Sequence, residues 1–369
     1  MYMKKLGIVG WRGMVGSVLI QRMSEENDFV NFKTHFFSTS QAGQDAPSKA
    51  NAEAKLLDAY RLEELSRMDI IVTAQGSDYT KTVHANLRQL GWSGYWIDAA
   101  SALRYEPGST LLLDPVNREL IDAAIDSGKK DFIGANCTVG TMLMGIGGLF
   151  TLDLVEWVSN MTYQAASGAG ARGVTEMLLQ MNQIGLVAKE AIDNPSKSIL
   201  DIDRSVSELL KGSELPQAQF GAPLAGSILP WVDTAVDDGQ SREEWKGMVE
   251  TNKILGGKTA VPIDGTCVRV SSMRCHSHGL TIKLKQDLPL SEIESIIESS
   301  TEWTELVDNN QQDSLKKLNP ASVSGNLAVR VGRVRKMKLG PKYLNAFVVG
   351  DQLLWGAAEP LRRMLNILK

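Results

Sequence analysis

Six short runs rich in β-branched and aromatic residues recur through the first 135 residues: KLGIVG (5 to 10), THFFST (34 to 39), MDIIVTA (68 to 74), YWIDAA (95 to 100), TLLLD (110 to 114) and DFIGA (131 to 135). Helical patterns such as MVGSVLIQRMSEE and TKTVHANLRQLG separate them. Strands that alternate with helices pair in parallel, because each crossover brings the chain back in the same direction, and a parallel sheet needs helices on both faces. The expected architecture is α/β, beginning with a Rossmann-type doubly wound parallel sheet. Beyond residue 135 the pattern changes. Amphipathic stretches at 174 to 192, 198 to 211, 240 to 255 and 291 to 300 mix with strand-like runs near 155 to 165, 266 to 284 and 343 to 350. This reads as a second α/β domain with a mixed, largely antiparallel sheet. The last run, DQLLWGAAEPLRRMLNILK, is helical, with Pro360 starting or kinking its second part, and being amphipathic it needs a surface to cover. The division expected is 1–135 for the nucleotide domain, completed by 358–369, and 136–357 for the catalytic domain.

The first strand-to-helix turn, GIVGWRGMVG, carries Gly7, Gly10, Gly13 and Gly16 at intervals of three. Glycine there permits a tight turn and lets backbone N–H groups reach a pyrophosphate at the helix N-terminus. The spacing is not the G-x-G-x-x-G fingerprint, so its position in the fold carries the assignment more than its text does. An NAD site calls for Asp or Glu at the end of the second strand, but HFFSTS ends in Ser38, Thr39 and Ser40, while Glu25, Glu26 and Asp28 precede the strand. Hydroxyls with the guanidinium of Arg12 suit a 2′-phosphate. NADP is expected over NAD.

One of only three cysteines stands in GANCTVG, between DFIGAN and GTMLMGIGGLF. If the second run is a helix, Cys137 lies at its N-terminus, where the positive dipole end and free N–H groups favour a thiolate nucleophile. The competing reading is a small apolar side chain packing the joint. With a hydride carrier on one domain and a thiolate at the junction, the natural chemistry is redox at acyl level through a thioester. An acid/base is then needed. Of four histidines, His35 falls in a strand and His84 on a helix, while His276 and His278 share one face of TCVRVSSMRCHSHGLTIKL if it is extended. Spacing alone does not choose between them. Arg269, Arg274, Arg104 in ASALR, and Glu243 with Lys246 in SREEWKG offer charges for a small ionic substrate. YQAASGAGARG (163 to 173) is a second glycine-rich loop, suited to closing over a nicotinamide or to turning the chain.

A net charge of −4 gives no general attraction to nucleic acid. The basic run RVGRVRKMK (330 to 338) alternates as the wet face of a strand. Cys137, Cys267 and Cys275 fit neither a metal framework nor a disulfide scaffold, which points to a reducing, cytoplasmic setting. Lys4 and Lys5 before an apolar stretch mimic a signal peptide, but Arg12 interrupts it and no small-residue cleavage site follows, so export is not expected. No window approaches the ~20 apolar residues of a membrane span.

The stretches GWRGMVGSVL, FFSTSQ, GYWIDAAS, LDPVN, NCTV, YQAASG, PLAGS, DGQSREEWKG, ETNKIL, CVRV, RCHS and VGDQLLWGAAEPLRRML together resemble bacterial aspartate-semialdehyde dehydrogenases of the Gram-negative enteric type, along the whole chain. The resemblance implies an NADP-dependent, phosphorylating enzyme that reversibly converts L-aspartyl 4-phosphate to L-aspartate 4-semialdehyde, in the pathway to lysine, threonine, methionine and diaminopimelate. It implies Cys137 as nucleophile and His276 as acid/base. It assigns Arg269 to the substrate carboxylate, Glu243 to the ammonium, Arg104 and Lys246 to phosphate, and Asn136 and Gln164 to orientation. For NADP it implies Gly10, Arg12, Gly13, Met14, Val15, Thr39, Ser40, Gln75, Ser167, Gly168, Pro195 and Gln352. A homodimer through the second domain is expected, with aspartyl phosphate, aspartate semialdehyde and phosphate as small-molecule partners. Relatives often read GGNCTVS and SGGGAR where this chain has Ala135, Gly140 and Ala169. The rival readings are an N-acetylglutamyl-phosphate reductase, whose acylated amine would leave Glu243 unpaired, and a thiol hydrolase or NADP-binding regulator.

Overall fold

The structure is a computed structural model describing residues 3–257 and 260–369. Its first seven strands are β1 (Lys5–Val9), β2 (Lys33–Ser38), β3 (Leu57–Asp58), β4 (Ile70–Thr73), β5 (Tyr95–Asp98), β6 (Ser109–Leu112) and β7 (Asp131–Gly134). They form one sheet in the order β3-β2-β1-β4-β5-β7-β6. Every pair in it is parallel. Central strands such as Ile70–Thr73 are buried along their whole length, which is why they read as continuous apolar runs rather than alternating ones. The chain reverses strand order between β1 and β4, and at such a switch point a crevice opens outside the strands' carboxyl ends.

The remaining strands are β8 (Val155–Gln164), β9 (Ile228–Leu229), β10 (Ile263–Asp264), β11 (Cys267–Val270), β12 (Cys275–Leu284), β13 (Thr304–Leu306), β14 (Val329–Lys336) and β15 (Tyr343–Asp351). Their order is β13-β14-β15-β12-β8-β11-β9, with β10 also on β8. The long pairs β12 with β15, β12 with β8, and β14 with β15 are antiparallel. The α/β class with a parallel first sheet and a mostly antiparallel second is therefore the observed one. One expected strand, 266 to 284, is two: residues 271–274 break it, so β11 and β12 pair with opposite edges of β8.

The helix Cys137–Thr151 is buried on nearly every side and packs against the second sheet. Its apolar residues join β-strand residues of both sheets in one core, for example Ile71 and Ile133 with Val331 and Val348. The final helix, Glu359–Ile367, follows a wide turn at Leu354–Ala358. Its Leu361, Met364 and Leu365 pack with Leu6, Ile8, Ile70 and Phe132, so the chain's end completes the core of the first sheet. Among the described residues no helix is long and apolar enough to cross a membrane.

Candidate active site

Two adjoining clefts lie along the carboxyl edge of the parallel sheet. One, of about 440 Å³, is lined by Gly10, Arg12, Gly13, Thr39, Ser40 and Gln75. Gly10 has φ +78°, and a Cβ there would lie 2.6 Å from backbone atoms of Ala74 and Gln75. Only glycine lets the turn lie this close to the β4 edge. Gly13 caps the helix Met14–Glu25 with no side-chain bond, leaving the first-turn N–H groups without a side-chain partner. No carboxylate lines this cleft among the described residues. The guanidinium of Arg12 instead reaches Gln41 beside Thr39 and Ser40. The residues present thus fit a dinucleotide at the turn.

The second cleft, about 590 Å³, shares Gly13 and Ala74 with the first and runs to Cys137. Met14, Val15, Ser167, Gly168 and Gln352 also line it. Gln352 donates to the Ser167 hydroxyl at 2.7 Å, tying the second glycine loop to the end of β15. Pro195 does not join either cleft: it sits on the exposed turn between helices 170–192 and 199–211.

Cys137 is the first residue of its helix, and Asn136 is the N-cap. The Asn136 Oδ1 accepts from the N–H of Thr138 at 2.9 Å, the N–H of Val139 at 3.3 Å and the Thr138 hydroxyl at 2.6 Å. This cap satisfies the orphan donors of the first turn. Gly356 abuts the nucleophile so closely that an added Cβ would lie 2.6 Å from the Cys137 Cβ. Gly140 has a similar cause: a side chain there would meet the Trp355 carbonyl at 2.9 Å.

The expected helix-end thiolate is not what the surroundings favour. Burial first, and then the charge of Glu243, push the Cys137 thiol from 9.0 up to about 12, against the pull of Arg269, Arg104 and Lys246. Desolvation is thus the largest influence on the thiol. His276 Nε2 lies 3.2 Å from the sulfur, while its Nδ1 accepts the Ala165 N–H at 3.0 Å. That second bond assigns the proton of the neutral ring to Nε2, facing sulfur. Burial, with Arg269 and His278 nearby, holds His276 well below its ordinary 6.5. Gaining a second proton would cost the ring its Ala165 bond. Neither His276 nor His278 lines the cleft, but His276 reaches Cys137 while His278 points to Asn160 at 3.0 Å.

Charges surround the sulfur. Arg269, on β11, donates to the Ala165 carbonyl at 2.7 Å, and burial lowers it from its ordinary value. Gly168 leaves room for it, since a Cβ there would lie 2.7 Å from Nη1. Glu243 accepts from the Asn136 amide at 3.0 Å, the Gln164 amide at 3.4 Å and the Lys246 ammonium at 3.0 Å. Lys246 also donates to Asp233 at 2.6 Å. Burial would lower the Lys246 ammonium, but Glu243 and Asp233 outweigh it and hold it above its ordinary value. Arg104, from the first domain, donates to Glu250 at 3.2 Å and to the Ala99 carbonyl at 3.2 Å. Burial opposes its charge too, and Glu250, Tyr105 and Cys137 together more than compensate. Arg274, weighed as an anion ligand, faces away and pairs with Asp351.

Asp233, Tyr105 and Glu250 were not singled out from sequence. Glu250 had a legible signal, for it continues the face of the helix Arg242–Leu255 that carries Glu243 and Lys246. Asp233 and Tyr105 had none.

Comparison with known proteins decides the family. Residues 5–124 match the model "Semialdehyde dehydrogenase, NAD binding domain", and residues 146–355 match "Semialdehyde dehydrogenase, dimerisation domain". The chain is 49% identical to the solved aspartate semialdehyde dehydrogenase of Francisella tularensis, over 99% of this chain and 100% of that one, with a TM-score of 0.95. It belongs to the aspartate-semialdehyde dehydrogenase family. More distant members share the fold. Aspartate semialdehyde dehydrogenase II of Vibrio cholerae matches at 21% identity over 100% and 98% of the two chains, with a TM-score of 0.80. The Candida albicans enzyme, solved with NADP, matches at 17% identity over 99% and 98%, with a TM-score of 0.65. Membership makes the chain an oxidoreductase of amino-acid biosynthesis with an NAD(P)-binding domain.

Proposed function

We propose that the chain catalyses the reversible, NADP-dependent reductive dephosphorylation of L-aspartyl 4-phosphate to L-aspartate 4-semialdehyde through a thioester on Cys137. The observation that carries this is the charge pattern around one sulfur. Arg104 and Lys246 suit a phosphate, Arg269 an α-carboxylate and Glu243 an α-ammonium, which are the charges of that substrate. Asn136 and Gln164, both bonded to Glu243, orient its carboxylate.

Cys137 attacks the acyl carbon, and phosphate departs into the grip of Arg104 and Lys246. The thiol proton leaves with the departing phosphate, while the Nε2–H of His276 donates to the sulfur and the ring keeps its Ala165 bond. Hydride chemistry is what NADPH supplies when bound. The Nε2–H of His276 then donates to the acyl oxygen as negative charge develops there, and to the departing sulfur as the C–S bond breaks. The preference for NADP rests on Arg12, Thr39 and Ser40 with no carboxylate beside them. The relative solved with NADP is consistent with it.

We read 1–135 with 358–369 as the cofactor unit and 136–357 as the catalytic and dimerisation unit. A homodimer is supported by the matched dimerisation domain and by exposed apolar residues of the second unit, among them Met161, Tyr163, Leu178 and Leu179. Three free thiols suit a cytoplasmic enzyme. The test is the reverse reaction: aspartate semialdehyde, phosphate and NADP should give a rise in nicotinamide absorbance that vanishes without phosphate. Turnover only with the N-acetylglutamate analogue, or none that depends on phosphate, would refute the proposal.

A further inference from the structure

The helix Arg242–Leu255 carries Glu243, Lys246, Glu250 and Lys253 at i, i+3, i+7 and i+10, one continuous face. The first two line the cleft. The other two grip the loop that bears Arg104: Lys253 Nζ donates to the carbonyls of Arg104 at 2.6 Å and Glu106 at 2.9 Å. Glu250 is fully buried. One of its oxygens accepts from Arg104 Nη1 at 3.2 Å and from the Tyr105 hydroxyl at 2.8 Å. Its other oxygen accepts the backbone N–H of Asn136 at 2.6 Å.

A single buried carboxylate therefore joins a cleft-lining guanidinium of the first sheet's loop to the residue that caps the helix of Cys137. The guanidinium still has a donor to give, because Arg104 Nε is buried without a hydrogen-bond partner. We propose that Glu250 is a positioning residue that couples anion capture at Arg104 to the placement of Cys137. When Arg104 turns toward a phosphate, Glu250 must follow it with one oxygen. The other oxygen carries the Asn136 N–H, and with it the first turn of the nucleophile's helix. The inference rests on the phosphate-binding role proposed above for Arg104.

The probe is inorganic phosphate and the readout is alkylation of Cys137 by iodoacetamide, resolved from Cys267 and Cys275 by peptide mass. In the wild type, phosphate should change the alkylation rate with a saturable dependence. Glu250→Gln keeps the shape but turns an NH₂ toward one of two donors, and should raise the half-effect concentration by about tenfold or more, the scale of one charge-assisted hydrogen bond. Tyr105→Phe leaves both coupling bonds and should change it by less than about threefold on the same scale. In an Arg104→Lys background, Glu250→Gln should add little, because the joined partner is already lost.

If Glu250→Gln does not fold, Glu250→Asp keeps the charge but is too short to span both partners, and should show the same loss. Four results would each overturn the proposal: wild-type alkylation indifferent to phosphate, a wild-type response in a folded Glu250 variant, equal damage from Tyr105→Phe, or independent effects in the double variant. Activity with aspartate semialdehyde is measured separately. Its absence would refute the functional reading, while the alkylation response would still judge the coupling.

Discussion

The sharpest test of the electrostatic picture is the thiol itself. With Cys137 held at about 12 instead of 9.0, its thiolate fraction at pH 8 is on the order of 10⁻⁴, against about 10⁻¹ for an ordinary thiol of that reference. Alkylation of Cys137 should therefore rise about tenfold per pH unit across pH 7 to 10 without reaching a plateau. Glu243 is the largest charge opposing the thiolate. Glu243→Gln removes that charge while its amide can still meet Asn136, so the cap survives. A neighbouring like charge typically suppresses ionisation by a factor of about ten or more, so alkylation at pH 8 should accelerate by roughly that factor. Arg269→Leu removes the first of the opposing cations and should slow it comparably. Rates are read by mass spectrometry of the Cys137 peptide under excess iodoacetamide. A wild-type plateau near pH 8 would mean that the helix end dominates after all, and an unchanged or slower Glu243→Gln rate would refute the charge assignment.

Other consequences can be checked alongside. Arg104→Leu and Lys246→Leu should raise the apparent KM for phosphate by about tenfold or more, whereas Arg269→Leu should act mainly on the KM for aspartate semialdehyde; a phosphate effect confined to Arg269→Leu would contradict the site. Gly168→Ala should also raise the semialdehyde KM, because the new methyl meets Arg269 Nη1 at 2.7 Å, and an unchanged KM would show that Arg269 yields freely. His276→Asn should remove most turnover and His278→Asn little, as steady-state rates will tell. His278 has a separate signature. Burial holds it at about 3 in the folded chain against an ordinary 6.5, so the unfolded chain takes up a proton that the folded chain refuses. Its contribution to stability is intact above pH 6.5 and is lost as pH falls toward 3. Between pH 6.5 and 5 the wild type should lose up to about 1.4 kcal/mol per pH unit relative to His278→Asn in urea melts, and parallel curves would exclude it.

Much of this molecule was written in local pattern. The alternation of apolar runs with amphipathic helices dictates a parallel sheet, since neither hairpins nor a bundle can satisfy both periods at once. The glycine turn, the hydroxyl-rich end of β2 and the cysteine at a strand-to-helix joint are equally local, because backbone conformation and helix ends are properties of a few consecutive residues. Charge states and partnerships are not local. A helix N-terminus argues for a thiolate, yet burial and the carboxylate of Glu243, 106 positions along the chain, act against it. His276 and His278 are equivalent by spacing; β12 turns both inward, and only the arrival of Ala165 and Cys137 at one ring and Asn160 at the other separates them. Glu250 looked like one more charge on a helix. It became the meeting point of Arg104, Tyr105 and Asn136 because three elements remote in sequence close around it, and burial makes each of those bonds costly to lose.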